Sequence, residues 1–124
     1  MDISTQPSTQ PSTQPSIQPS IWIVVLTTAS SEAEAEKISE ALVGAGLAAC
    51  VAIAPIRSIY RWQGKLCKET EWQLAIKTRK DAFSAIAQKV KDIHSYDVPE
   101  LIALPIVDGS LSYLNWIDQQ IEQS

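Results

Sequence analysis

Glycine, cysteine and histidine are scarce in this chain: four, two and one among 124 residues. With so few glycines there is no Gly-x-Gly-x-x-Gly stretch and no Walker loop, which removes the common phosphate-cradling motifs. Two cysteines are too few for a disulfide scaffold, and Cys50 and Cys67 are not in Cys-x-x-Cys spacing. No run approaches the roughly 18 apolar residues of a membrane span. Positive charge is also short: the net charge is −4 and the pI about 4.9. That balance lacks the long-range attraction on which most nucleic-acid binders depend. The only basic cluster, Lys77, Arg79 and Lys80, reads as a solvated strand end. Ser, His and Asp occur without a nucleophile elbow, so the chain reads as non-enzymatic. The residual enzymatic reading is lone-histidine chemistry by His94 with Asp97 or Glu100.

What is present divides at residue 20. Residues 4–19 repeat Ser-Thr-Gln-Pro three times, then continue as Ser16-Ile17-Gln18-Pro19, and hold four of the seven prolines. Each proline fixes φ and removes a donor, and little apolar area offsets the ordering entropy, so 1–20 is expected to be a disordered, extended tail. Neither a basic n-region nor an apolar h-region occurs there, so a cytoplasmic location is expected, with Cys50 and Cys67 as free thiols.

Residues 21–124 carry the globular pattern. The continuous apolar run Ile21 to Leu26 suits a central strand buried on both faces. Ser31 and Glu34 form a capping box, followed by the stripe Ala35, Ile38, Leu42, Ala45, with Gly44 and Gly46 ending the helix. Two strands, Ala48 to Trp62 and Leu66 to Thr78, flank a Gln63-Gly64-Lys65 turn. In the second, Leu66, Thr70, Trp72, Leu74 and Ile76 share one face, and Glu69, Glu71, Gln73 and Lys77 the other. Asp81 is placed to cap a helix with the stripe Phe83, Ile86, Val90, Ile93. A loop from His94 to Pro99 leads to a strand over 100–107. Ser110 then caps a last helix carrying Leu111, Leu114, Ile117 and Ile121. The order β-α-β-β-α-β plus a helix predicts an α+β, ferredoxin-like domain with a long β-hairpin.

That hairpin is too long for one small subunit. Arms of 13 to 15 residues exceed the usual strand of roughly 5–6. Extended at about 3.3 Å per residue, they outreach a domain of this size. Pro55 is a natural place for a kink. A protruding ribbon bearing Tyr60, Trp62 and Trp72 would leave apolar surface and open edges in water, which neighbouring subunits would cover. A closed homotrimer is expected.

The same residues carry a resemblance. Ala49-Cys50-Val51, Ile53, Pro55, Ser58 to Lys65, Glu71 and Lys77-Thr78, together with His94 to Glu100, Pro105-Ile106, Gly109 and Tyr113-Leu114-Asn115-Trp116, are similar to the CutA divalent-ion tolerance family. The likeness runs over about residues 22–120. It implies a stable homotrimer of ferredoxin-like subunits, related in architecture to PII signalling proteins, and a link to copper and other divalent ions. Three positions depart from the family: Ser95 stands where His-Pro-Tyr is usual, Ala52 replaces a common Asn, and Thr27 replaces a cysteine that binds metal in some members.

Two sites follow. His94 with Asp97 and Glu100 offers imidazole and carboxylate donors suited to weak Cu²⁺ or another divalent cation, with no obligatory cofactor; the alternative is that His94 caps the second helix. Tyr60, Trp62, Glu71, Lys77, Tyr96 and Trp116 could line an intersubunit cleft, or be interface core with Glu71 and Lys77 in ion pairs. The expected functions are therefore a trimeric divalent-ion tolerance protein and, alternatively, a PII-like sensor or scaffold that binds a small molecule or protein partner.

Overall fold

The apolar run after residue 20 becomes β1, Trp22–Ala29, in a computed structural model that describes residues 21–121. The expected tail over 1–20 lies outside the described residues. After β1 come α1 (Glu32–Gly44), β2 (Cys50–Trp62), β3 (Lys65–Arg79), a single 3₁₀ turn (Lys80–Ala82), α2 (Phe83–Ile93), β4 (Ile102–Pro105) and α3 (Leu111–Gln120). The four strands form one antiparallel sheet in the order β2-β3-β1-β4. This is the ferredoxin-like arrangement with an added C-terminal helix.

The central position of β1 is as expected, but its burial is one-sided. Ile23, Val25, Thr27 and Ala29 are buried, while Trp22, Val24 and Leu26 are half-buried. Register explains the difference. Ile23, Val25 and Thr27 lie opposite Thr78, Ile76 and Leu74, and this is the face that packs into one core with Ile38 and Leu42 of α1 and Ile86 and Val90 of α2. Burying each such aliphatic side chain contributes roughly 1.5–3 kcal/mol. The opposite face has no such helix layer, and Leu104 and Ile102, which pair there with Val24 and Leu26, are exposed.

Three local expectations change. Asp81 does not cap α2; both of its carboxylate oxygens receive the Arg79 guanidinium at 3.3 Å, and a 3₁₀ turn leads into the helix instead. β4 is four residues long rather than eight, because its partner β1 is engaged only over Ile23 to Leu26. Leu111 is exposed, whereas Leu114, Ile117 and Ile121 are buried. At the far end of the sheet Asp118 ties α3 in place, accepting from Arg79 Nη1 at 2.7 Å and from Trp22 Nε1 at 3.0 Å.

The long ribbon forms as expected, but without the break in pairing expected at Pro55. β1 ends at the Ala29–Trp72 pair, so 56–62 and 65–71 pair only with each other. They extend roughly 20 Å past β1 at about 3.3 Å per residue. Pairing continues in one register through Pro55, which sits in edge strand β2 where proline is tolerated. Gln63 and Gly64 turn the ribbon with φ of 51° and 76°, the positive values that a two-residue type I′ loop requires.

Candidate functional site

The loop after α2 is held from three sides before it reaches β4. His94 ends the helix, its N–H donating to Val90 O. Its ring is fully buried. Nδ1 accepts the Tyr96 N–H at 3.0 Å, and Nε2 lies 2.6 Å from Thr28 O. A backbone N–H can only donate and a carbonyl can only accept, so the ring carries its proton on Nε2. His94 thus ends α2 through its backbone N–H, while its ring, expected in the alternative reading to act on the helix dipole, is engaged by Thr28 O and the Tyr96 N–H instead.

Ser95 then donates twice to Glu34, from N–H to Oε2 at 2.8 Å and from Oγ to Oε1 at 3.1 Å. Glu34 Oε1 also accepts from the Ser30 N–H and hydroxyl. Partial burial pushes the Glu34 carboxyl up, but these four hydrogen bonds outweigh it and hold its pKa below the ordinary value. The sequence pattern marks Glu34 only as a helix-capping residue. Its contact with Ser95 has no local signal, because the two lie 61 positions apart.

Tyr96 faces the base of the ribbon. Its hydroxyl donates to Glu71 Oε2 at 2.9 Å, and its ring lies 4.8 Å from that of His94. Burial first, then this bond to Glu71, raises the phenol pKa above its usual value. Glu71, on the sheet face away from α1 and α2, is only 8% exposed. Farther along the ribbon Tyr60 donates to Glu69, and that bond pushes its pKa up to about 12.

Between loop and ribbon lies a cleft of about 1010 Å³, lined among others by Tyr60, Trp62, Glu69, Glu71, Tyr96, Asp97 and Glu100. Among the described residues no Lys or Arg lines it. Four of the six expected cleft residues are therefore brought together: Tyr60, Trp62, Glu71 and Tyr96. Lys77 is not; it pairs with Cys50 and Val24, roughly 20 Å along β3 from Glu71. Trp116 is on α3, stacked on Tyr113 at 5.6 Å.

The expected metal set is divided in the same way. Asp97 and Glu100 are exposed and line the cleft, while both His94 nitrogens are hydrogen-bonded behind its wall. Among the described residues no group of three or more His, Cys, Asp or Glu could hold a metal ion. His94, Asp97 and Glu100 as arranged here do not fit a three-ligand centre. Cys50 and Cys67 are free thiols.

Comparison with known proteins matches residues 23–120 to the model of the CutA1 divalent ion tolerance protein. The chain belongs to the CutA1 family. The Thermus thermophilus divalent-cation tolerance protein CutA is 48% identical over 95 residues, 76% of this chain and 92% of that one. The Archaeoglobus fulgidus protein of the same name is 42% identical, over 79% and 96% of the two chains. Among solved structures, CutA1 from Oryza sativa has a TM-score of 0.82 at 40% identity, covering 86% of this chain and 98% of that one. CutA1 from Shewanella sp. SIB1 has a TM-score of 0.83 at 37% identity, covering 86% and 100%. The family thus accounts for the whole sheet and all three helices of this CutA1 chain. Among its described residues no helix is long and apolar enough to cross a membrane. The Archaeoglobus fulgidus structure is called a periplasmic protein, whereas a rice relative is called chloroplastic.

Proposed function

We propose that this CutA1 chain is a non-enzymatic, cytoplasmic homotrimer acting in divalent-cation tolerance, with weak binding of Cu²⁺ or a similar ion. The observation that carries the ion contact is the cleft itself, where Asp97, Glu100, Glu69 and Glu71 meet no basic side chain. Carboxylate oxygens bind divalent ions, and a site lacking imidazole and thiolate holds copper weakly. His94 positions the loop that presents Asp97 and Glu100 and is not itself a ligand. Assembly is supported by the uncovered apolar surface: Ile59 is 65% exposed, Trp62 58% and Leu66 68% on the ribbon, with Ile102 and Leu104 on the bare sheet face.

Calorimetric titration with Cu²⁺ tests the ion contact. Binding heat should disappear in the Asp97→Asn, Glu100→Gln double variant and persist in His94→Ala. Retention of full binding in the double variant would eliminate these contacts.

A second reading is favoured by the aromatic walls. Tyr60, Trp62 and Tyr96 around a cleft of about 1010 Å³ describe a small-molecule site. Under this reading the chain is a PII-like trimeric sensor or scaffold, and a neighbouring subunit or a protein partner closes the cleft.

A further inference from the structure

We infer that the cleft between the ribbon and the 94–101 loop recognises an organic cation of the alkylammonium or guanidinium class. This rests on the second reading, that the cleft takes a small molecule, and adds the chemistry of that molecule. Three observations converge on it.

The first is sign. Four carboxylates, those of Glu69, Glu71, Asp97 and Glu100, line the space with no lysine or arginine among the lining residues. The resulting field attracts cations and repels phosphates and carboxylates. The second is the nature of the walls. Tyr60, Trp62 and Tyr96 present aromatic rings, whose negative faces attract desolvated positive charge. Two of these rings are fixed to the acidic groups, since Tyr60 donates to Glu69 and Tyr96 to Glu71. One donor does not saturate a carboxylate, so Glu71 can still accept from a bound N–H group. An ammonium or guanidinium group uses ring face and carboxylate together; an anion can use neither.

The third is spacing. No three acidic, histidine or cysteine side chains among the described residues are close enough together to hold a metal ion. Divalent ions require oxygen ligands at about 2.0–2.6 Å. Carboxylates spaced in this way offer a divalent ion only the weak contact proposed above and leave room for a larger, diffuse cation with an apolar body.

The test uses the full chain and three probes of like size: benzylammonium, benzyl alcohol and benzoate. Binding is followed by saturation-transfer NMR and calorimetry, with particle mass measured on the same samples by light scattering. The ammonium probe should bind at least about tenfold more tightly than the alcohol, and benzoate should not bind. Glu71→Gln, which keeps the shape and an acceptor for Tyr96, should weaken the ammonium probe about tenfold at unchanged mass. Trp62→Leu should do the same by removing the ring but not the bulk. Where Trp62→Leu alters the mass, Glu71→Gln alone decides. Equal binding of ammonium and alcohol would overturn the recognition of charge while leaving a small-molecule cleft. Ammonium binding unchanged in Glu71→Gln would place the probe elsewhere and overturn the inference. Failure of all three probes would remove the cleft reading together with it.

Discussion

Ser95 spends both of its donors on Glu34, at 2.8 and 3.1 Å, and thereby fastens the loop beside the cleft to the first turn of α1. A proline at this place would stiffen the loop by its ring. This chain obtains the restraint from hydrogen bonds, one of which a proline has no N–H to make.

Removing the acceptor should therefore loosen two elements together. Glu34→Ala is expected to cost about 1–3 kcal/mol, measured by thermal unfolding, because it ends both the helix-start contacts and the loop tether. Ser95→Ala, which loses only the hydroxyl bond, should cost about 0.5–1.5 kcal/mol. The lowered Glu34 pKa sets the direction with pH. Its contribution is present above the unfolded carboxylate value and is lost as pH falls through the lower folded value. Melting curves from pH 6 to pH 3 should show a steeper acid loss in the parent than in Glu34→Gln.

The two cleft tyrosines predict the opposite, alkaline behaviour. Both phenols are raised, Tyr60 to about 12 by its bond to Glu69 and Tyr96 by burial and Glu71. A group raised in the folded state contributes fully below its unfolded value, near 10, and loses that contribution as pH climbs toward the folded one. The melting temperature should fall above pH 10, and less steeply in Tyr60→Phe and Tyr96→Phe. At pH 7, Tyr96→Phe should also cost about 1–3 kcal/mol, since it leaves the buried Glu71 without its donor.

Thr27 offers a substitution that should stabilise. Its hydroxyl is buried in the core with no hydrogen-bond partner among the described residues, whereas the Thr78 hydroxyl on the neighbouring strand donates to Leu47 O at 2.6 Å. Thr27→Val keeps the shape and removes the unpaired group, so stability should rise by about 1 kcal/mol in denaturant titration. Thr78→Val should do the reverse.

Assembly is tested at the ribbon. Light scattering at micromolar concentration should return a trimer for the parent. Lysine at both Ile59 and Leu66 should yield a smaller species without unfolding the sheet, because neither residue belongs to the core. A monomer mass for the parent would remove the trimeric proposal.

Periodicity was sufficient wherever one element meets a continuous neighbour. The stripe of α2, that of α1 apart from Ala45, which falls exposed at the C-cap, the alternation along β3 and the ribbon's length were all legible, because burial on one face imposes a period of 3.6 or 2 on the chain. Ends were read less well. The Asp81 cap and the length of β4 depend on Arg79 and on the reach of β1, and neither is written next to the residues concerned. In the cleft, Tyr60, Trp62, Glu71 and Tyr96 stood out by residue type. Lys77 and Trp116, grouped with them by residue type, lie away from these four within the one chain, where β3 and α3 carry them.

By itself the sequence determined the order of elements, the overlong ribbon and the aromatic character of what could meet there, since these depend on local pattern and composition. Only the tertiary structure decided that His94 would turn both nitrogens inward while Asp97 and Glu100 face the cleft. That outcome is fixed by two backbone groups, Thr28 O and Tyr96 N–H, which every sequence possesses and which only folding brings to the imidazole.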